Sequence, residues 1–399
     1  MDTESGSGLR DRVSGHRGAA PYGLSGNRAD AGLRLGPPRR RRRAAPDRLS
    51  ARPAPIAINA RAAVRPEIGG VERVARELSS RLPALRPGRY RVLRPPESLA
   101  FRAGHAWEQG ALPVLARGSP VLFSPANLAP LVAGRRNVVS IHDVEALQRP
   151  EAYGRVYASY QRHLLPAIAR RARRVVTVSE FSRRELAEIL GIPREAIEVV
   201  PNGVDSRFSP GADPRPSAQR HGLASPYVLA VGTRSARKNL SALKEAARQL
   251  GKLGVEVVVA GSRRGYLRGE APPPGIRQLG YVDDRLLPGL YAGARALAMP
   301  SLHEGFGLPC LEAMASGVPV VAARRAALPE VCGEAALLVE PEPDELATAL
   351  VSAVRDEAVR EKLREAGLER ARRFSWDAAA ARADSVLDAA LREAGSQRP

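Results

Sequence analysis

The sequence predicts an α/β protein built from two doubly wound parallel sheets that face one another across a cleft. Three observations predict it. Short β-branched runs alternate with segments whose apolar residues fall at helical spacing, the pattern of parallel sheets covered by helices. The alternation stops at "SPGADPRPSAQRHGLAS", residues 209–225, and then begins again. A chain of 399 residues is also longer than one domain of ordinary size requires.

Taken in order, residues 1–52 are rich in Gly, Ser, Pro and Arg, carry no apolar periodicity and are expected to form a disordered basic tail. "PIAINA" is the first strand, a loop with Gly69 and Gly70 follows, and "VERVARELSSRL" is the first helix. "NVVSIHD" and "RRVVTVSEFS" read as buried strands, the latter leading into the helix "SRRELAEIL", and "IEVVPNGVD" is a strand closed by a turn. These make an N-terminal domain over 53–208. Residues 209–225 are polar, have no period and are expected to be an interdomain linker. The second domain, 226–375, repeats the alternation with "YVLAVG", "NLSALKEAARQL", "VEVVVAG", "LLPGLYAGA" and "RALAMPS". A loop, "HEGFG", then leads into a helix opening at Pro309 and closing at Gly317, before the strand "PVVAA". The last helix, "WDAAAARADSVLDAALREA" within 376–399, is expected to return to the N-terminal domain.

A hydrophobic fraction of 44% and a charged fraction of 26% exclude a fibrous or wholly disordered chain. No apolar run reaches membrane-spanning length, and the arginine-rich N-terminus lacks the apolar stretch of a signal peptide, so a cytoplasmic location is expected. Cys310 and Cys332 form neither a disulfide framework nor a zinc set and are expected to be buried thiols. The net charge of +20 invites a nucleic-acid reading, but residues 1–52 hold only 12 of the 62 basic residues, so the excess is diffuse. Only four of the basic residues are lysine. The run Arg39 to Arg43 reads as solvated, with peripheral contact to an anionic membrane left open. No nucleic-acid partner is expected. A basic adaptor without enzymatic activity is the competing class, and deletion of 1–52 would abolish its binding while sparing a catalytic core.

Ligands in such sheets bind beyond the carboxyl ends of the strands. Glu304 falls in a loop at that edge and Glu312 in the helix that follows, so both can face the cleft. The N–H groups of Gly305, Phe306, Gly307 and Leu308 lie beside them at a helix start. Two carboxylates beside free amides suit a polyhydroxylated ligand carrying phosphate. Spacing alone leaves open a solvent-facing Glu312 and a Glu304 that only complements the helix start. "VGTRSARKNL" sets Arg234, Arg237 and Lys238 between the first strand and first helix of the second domain, where phosphate would lie. By itself it is also a basic loop in a basic protein.

"HEGFGLPCLEAMASGVPVV" resembles the paired-glutamate motif of the retaining glycosyltransferases of family 4, whose two-Rossmann-domain fold is called GT-B. "VSEFSRREL", "VVPNGVD", "VGTRSARKNL", "LGYVDDRLLPGLYAGA" and "LPEVCGEAALLVEP" resemble that family's segments in the same order, and the likeness covers roughly 55–395. The resemblance implies that Glu304 contacts hydroxyls of the donor sugar, Glu312 binds the ribose, and Arg237 and Lys238 hold the diphosphate. The amides from Gly305 to Leu308 would reach the sugar or its phosphates. "RPEIGGVERVA" would bring Gly69 and Gly70 from across the cleft. His142 would lie near the transferred sugar, although without the resemblance it reads as capping a strand end. Asp143 reads equally as structural or catalytic.

Thr233 follows Gly232 where many relatives carry arginine, which leaves either Arg234 as a substitute or a different loop. "RRAALPE" replaces a more polar stretch. In "GHAWEQGALP", Trp107, beside Glu108 and Gln109, fits a sugar platform or a core position. The implied reaction moves a hexose, mannose as first choice, from GDP-mannose or a UDP-hexose to a hydroxyl of a glycan or lipid-linked acceptor, with retention. Glu304, His142 and Lys238 would be its catalytic residues, with no metal and no cofactor besides the donor. An epimerase-like enzyme of the same fold is the alternative.

Overall fold

The computed structural model describes residues 54–96, 99, 103–262, 265 and 273–396. Arg39 to Arg43 and the rest of the basic tail lie outside the described residues. Residues 52–399 form one compact unit.

This unit holds two six-stranded sheets in which all pairs are parallel, the architecture the alternation predicts. The first contains β1 (Ile56–Asn59), β2 (Tyr90–Leu93), β3 (Leu122–Ser124), β4 (Asn137–Ser140), β5 (Arg174–Thr177) and β6 (Ile197–Val199), in the order β2-β1-β3-β4-β5-β6. The second contains β7 (Tyr227–Val231), β8 (Glu256–Ala260), β9 (Ile276–Gly280), β10 (Ala296–Met299), β11 (Val320–Ala323) and β12 (Leu337–Val339), in the order β12-β11-β10-β7-β8-β9. The chain order reverses beside β1 in one sheet and between β7 and β10 in the other. Crevices form at such reversals, beyond the carboxyl ends of the strands. The strands β1, β4, β10 and β11 are buried along their whole length, which is why apolar residues fill both faces of each, with Asn59, Asn137 and Ser140 only at strand ends.

Local chemistry sets the elements that frame the crevices. The helix Gly70–Leu85 starts where the Glu72 carboxylate accepts from the Gly69 N–H at 3.1 Å. The helix Glu180–Leu190 is capped by Ser179, whose hydroxyl accepts from the Ser182 N–H, and stops at Gly191 in the left-handed region. The helix Leu308–Ala315 follows Gly307, whose φ of 101° suits only glycine, and carries Pro309 in its first turn.

Residues 209–225 are not a featureless linker. Arg215–His221 form a helix started by Asp213, which accepts from the Arg215 N–H at 3.0 Å, and ended by Gly222. Its single buried residue, Ser217, donates to the Leu286 carbonyl and docks the segment on the second half. So short a polar helix, with one buried residue, leaves no apolar period to read.

The terminal helix, Trp376–Ser396, crosses to the first half and packs on Gly70–Leu85. Half of its buried residues are alanine, Ala379, Ala380, Ala383 and Ala390, so the two backbones approach closely. Trp376 is 2% exposed. Ionic contacts fix the crossing: Arg86 and Arg89 pair with Asp384 and Asp388, Tyr90 donates to Asp384, and Arg174 pairs with Glu393. Gly203 sits so near that a Cβ there would stand 2.1 Å from the Trp376 nitrogen.

Candidate active site

The carboxyl ends of both sheets open on one cleft of about 1180 Å³, counting its space open to solvent. The loop after β1 brings Gly69 and Gly70 to it, β4 brings His142 and Asp143, and β7 brings Arg237 and Lys238. The loop after β10 contributes Glu304 to Gly307, and the helix behind it Leu308 and Glu312. Every donor-binding and catalytic position expected from the sequence thus lines one cavity. Arg234 does not line it; its guanidinium bonds Gln278 on β9 at 2.9 Å. Trp107 is a core residue, packed with Leu112, Leu122 and Ala133, and is no sugar platform. Glu108 is fully buried against Arg61 and Asn59, and Gln109 pins the backbone at Ala129 and Leu131.

At the centre, Glu304 meets the Lys238 ammonium at 2.6 Å and the Arg237 guanidinium at 3.3 Å. Burial opposes charge on this carboxyl, but the two cations outweigh it and draw its pKa down to about 2. Arg237 is held on its other side by Glu145 at 2.9 Å and donates to the His303 carbonyl. Burial would lower the Arg237 pKa, yet Glu304 and Glu145 raise it. Glu145 itself is shifted upward by burial, against the pull of Arg237, and accepts from the Tyr153 hydroxyl at 2.8 Å. Lys238 reaches Glu304 past Gly232, where a Cβ would stand 2.5 Å from its Cε.

Glu312 is buried too, with its helix turning it into the cleft wall. Tyr291 donates to one oxygen at 2.7 Å and Arg73 approaches the other at 3.3 Å. Burial raises the Glu312 pKa, with Arg73 and Tyr291 opposing the shift. The ring of His142 donates from Nε2 to the Pro125 carbonyl at 2.9 Å, and burial lowers its pKa, so it is neutral at pH 7. The two halves touch here: the Gly305 carbonyl accepts from Ser179 at 2.7 Å and Ser182 at 3.1 Å, and Glu330 accepts the Glu180 and Phe181 N–H groups.

Sequence reasoning missed Arg73 and Glu145. Each holds a cleft residue across the two halves, and neither gave a signal in the sequence around it. A second cleft, of about 1210 Å³, joins the first at Gly69, Gly70, Asp143 and Arg237. It runs along the first half, walled by Arg61, Arg65 and His105 and by Tyr153 and Tyr157, whose rings stack 5.5 Å apart.

The chain matches two family models, glycosyl transferases group 1 over residues 225–356 and glycosyltransferase family 4 over 114–208. It is 34% identical over 265 residues to O-antigen chain mannosyltransferase B of Escherichia coli, covering 61% of this chain and 67% of that one. It is 33% identical to the MMP alpha-(1->4)-mannosyltransferase of Mycolicibacterium hassiacum over 56% of each chain. It is 31% identical to the D-inositol 3-phosphate glycosyltransferase of Corynebacterium kroppenstedtii over 61% of this chain and 58% of that one. The match therefore spans two thirds of the first relative and little more than half of the others. Among solved structures, sucrose-phosphate synthase of Thermosynechococcus elongatus superposes with a TM-score of 0.67 at 21% identity, over 85% of this chain and 99% of that one. Anabaena HepE in complex with UDP and glucose gives 0.64 at 19%, over 84% and 99%. Both likenesses are of fold.

Proposed function

Because the chain belongs to the group 1, family 4 glycosyltransferases, we propose that it moves a hexose, mannose first, from a nucleoside-diphosphate sugar to a hydroxyl of a glycan or lipid-linked acceptor. One observation carries the reading: Glu304 is pinned by Lys238 and Arg237 where the ends of β7 and β10 meet. A diphosphate leaving group needs positive charge set beside it, and these cations stand at the reversal point of the sheet order. An ammonium has three donors and a guanidinium five, so the carboxylate leaves N–H groups on both for phosphate oxygens. Glu304, ionised and fixed, accepts from hydroxyls of the sugar, and neutral His142 lines the same cavity from the other half. Two relatives named as mannosyltransferases support the choice of mannose.

The acceptor enters through the second cleft, whose stacked tyrosines and polar walls suit a sugar ring. Its hydroxyl attacks the anomeric carbon on the face the phosphate leaves, that phosphate takes the proton, and configuration is retained. The Lys238 and Arg237 charges serve the phosphates without a metal. Among the described residues no helix is long and apolar enough to cross a membrane.

Turnover of GDP-mannose and UDP-glucose, with the product's anomeric configuration read by NMR, tests the whole reading. An inverted product or a free epimerised nucleotide sugar overturns it. In Lys238→Ala, kcat should fall by about 10- to 100-fold while donor KM changes less, because the phosphate charge grows toward the transition state. Excess EDTA should leave the wild-type rate unchanged. Inactivation by EDTA that magnesium or manganese reverses would overturn the metal-free mechanism.

A further inference from the structure

Arg73 stands on the helix Gly70–Leu85 of the first half, yet its side chain is buried in the wall of the donor cleft. Its Nε lies 3.3 Å from Glu312 Oε1 and its Nη2 2.5 Å from Asp284 Oδ1. Asp284 is gripped again by Arg207, at 2.7 Å through its carboxylate and 2.8 Å through its carbonyl. Both guanidinium groups lie over the ring of Phe208, at 5.8 and 5.1 Å. Phe208 meets Tyr291 edge to face at 5.6 Å, and Tyr291 returns to Glu312 through its hydroxyl. The contacts close a ring: Glu312, Arg73, Asp284, Arg207, Phe208, Tyr291.

From this ring we infer that Arg73 is a positioning residue for the nucleotide's ribose: it reaches across the cleft to aim and charge Glu312, so that the ribose site is assembled from both halves. The inference rests on the reading of Glu312 as the ribose acceptor. Tyr291 and Arg73 take one lone pair from each carboxylate oxygen, which leaves acceptor capacity on both for the two ribose hydroxyls. A carboxyl so deeply buried would bind its proton rather than a hydroxyl unless a cation stood beside it. The charged and titratable groups facing it are Arg73, Tyr291, Asp284 and Arg207. Of the two arginines only Arg73 touches it. Asp284 and Arg207 hold Arg73 from behind, and their own charges offset. The first half thus reaches the ribose carboxylate through Arg73, as it reaches the diphosphate cation Arg237 through Glu145.

Calorimetric titration of GDP and UDP into the full chain between pH 5 and 8 tests this. In wild type, affinity is expected to weaken only toward acid pH, as Glu312 takes up a proton. In Arg73→Met, affinity at pH 7 should fall on the order of tenfold, and the acid limb should move to higher pH because burial then acts unopposed. Arg73→Lys should return the limb toward its original place without restoring full affinity. Glu312→Gln should bind weakly with no acid limb, and adding Arg73→Met to it should cost nothing more. A merely structural Arg73 would lower melting temperature and leave the limb where it was, which overturns the inference. So would losses that add in the double variant. If Arg73→Met does not fold, Arg73→Gln, which keeps a donor beside Glu312 but no charge, takes its place and should move the limb to higher pH in the same way; an unmoved limb overturns the inference. Should Glu312→Gln bind as wild type does, the ribose reading fails first, and failure of GDP and UDP alike to bind wild type removes the donor site itself.

Discussion

Glu304→Gln is expected to lower transfer by about 100- to 1000-fold, the scale of losing one fixed charge at the reacting centre, while nucleoside diphosphate affinity is kept or strengthened. Glutamine preserves shape and removes the charge that both Lys238 and Arg237 now face. Arg237 retains Glu145, but Lys238 is left buried beside a neutral amide, and a phosphate becomes its best partner. The variant should also melt at lower temperature without ligand and recover when GDP or UDP is added. Because the carboxyl sits at about 2 in the folded chain, its ion pairs stabilise fully above the ordinary carboxyl pKa of about 4.3 and lose their contribution as pH falls toward 2. Initial rates and calorimetry on one preparation decide the matter: wild-type turnover, or nucleotide binding lost with turnover, would remove Glu304 from the sugar.

Gly305→Ala is expected to cost about 100-fold in kcat, the scale of roughly an ångström of misplacement, with a smaller change in nucleotide affinity. A Cβ at 305 would stand 2.3 Å from the His142 carbonyl oxygen and 3.3 Å from Ser182 Oγ. The first of these is backbone and cannot turn aside. The loop bearing Glu304 must therefore draw back from the first half, stretching the bonds from Ser179 and Ser182 to the Gly305 carbonyl. The nucleotide cations belong to the second half and move with the loop, so binding suffers less than transfer. Small-angle scattering should show a wider molecule. Unchanged kcat with an unchanged scattering profile would mean that the halves do not need this contact.

Most strands visible in the sequence are buried ones, although the half-buried edge strand β6 was read with its closing turn and the short buried β3 was not. β7, β8 and β10 read as apolar runs because helices cover them on either side. β9, with Arg277 and Gln278 exposed, sits at a sheet edge and carries no such run, and β12, at the other edge, is apolar but only three residues long. The site was legible where its residues cluster in the chain, as Glu304 to Glu312 and Arg237 to Lys238 do. Arg73 was not, since its partner Asp284 is 211 positions away and nothing local distinguishes a buried arginine from its many solvated neighbours. Glu145 escaped for the same reason, as did the helix inside 209–225, whose single buried residue is a serine. Long-range pairing of charges is decided by the fold, and composition is blind to it.

The helix from Trp376 to Ser396 finishes the half that the chain began with. On the ribosome, that half emerges before this helix and must wait, with the helix Gly70–Leu85 uncovered, until the codons for Trp376–Ser396 have been read. Gene fusions inherit the same constraint. A chimera that exchanges the donor-binding half at residues 209–225 imports a foreign last helix onto the host's Arg86, Arg89 and Tyr90, whereas a second junction just before Trp376 leaves the native helix with its host.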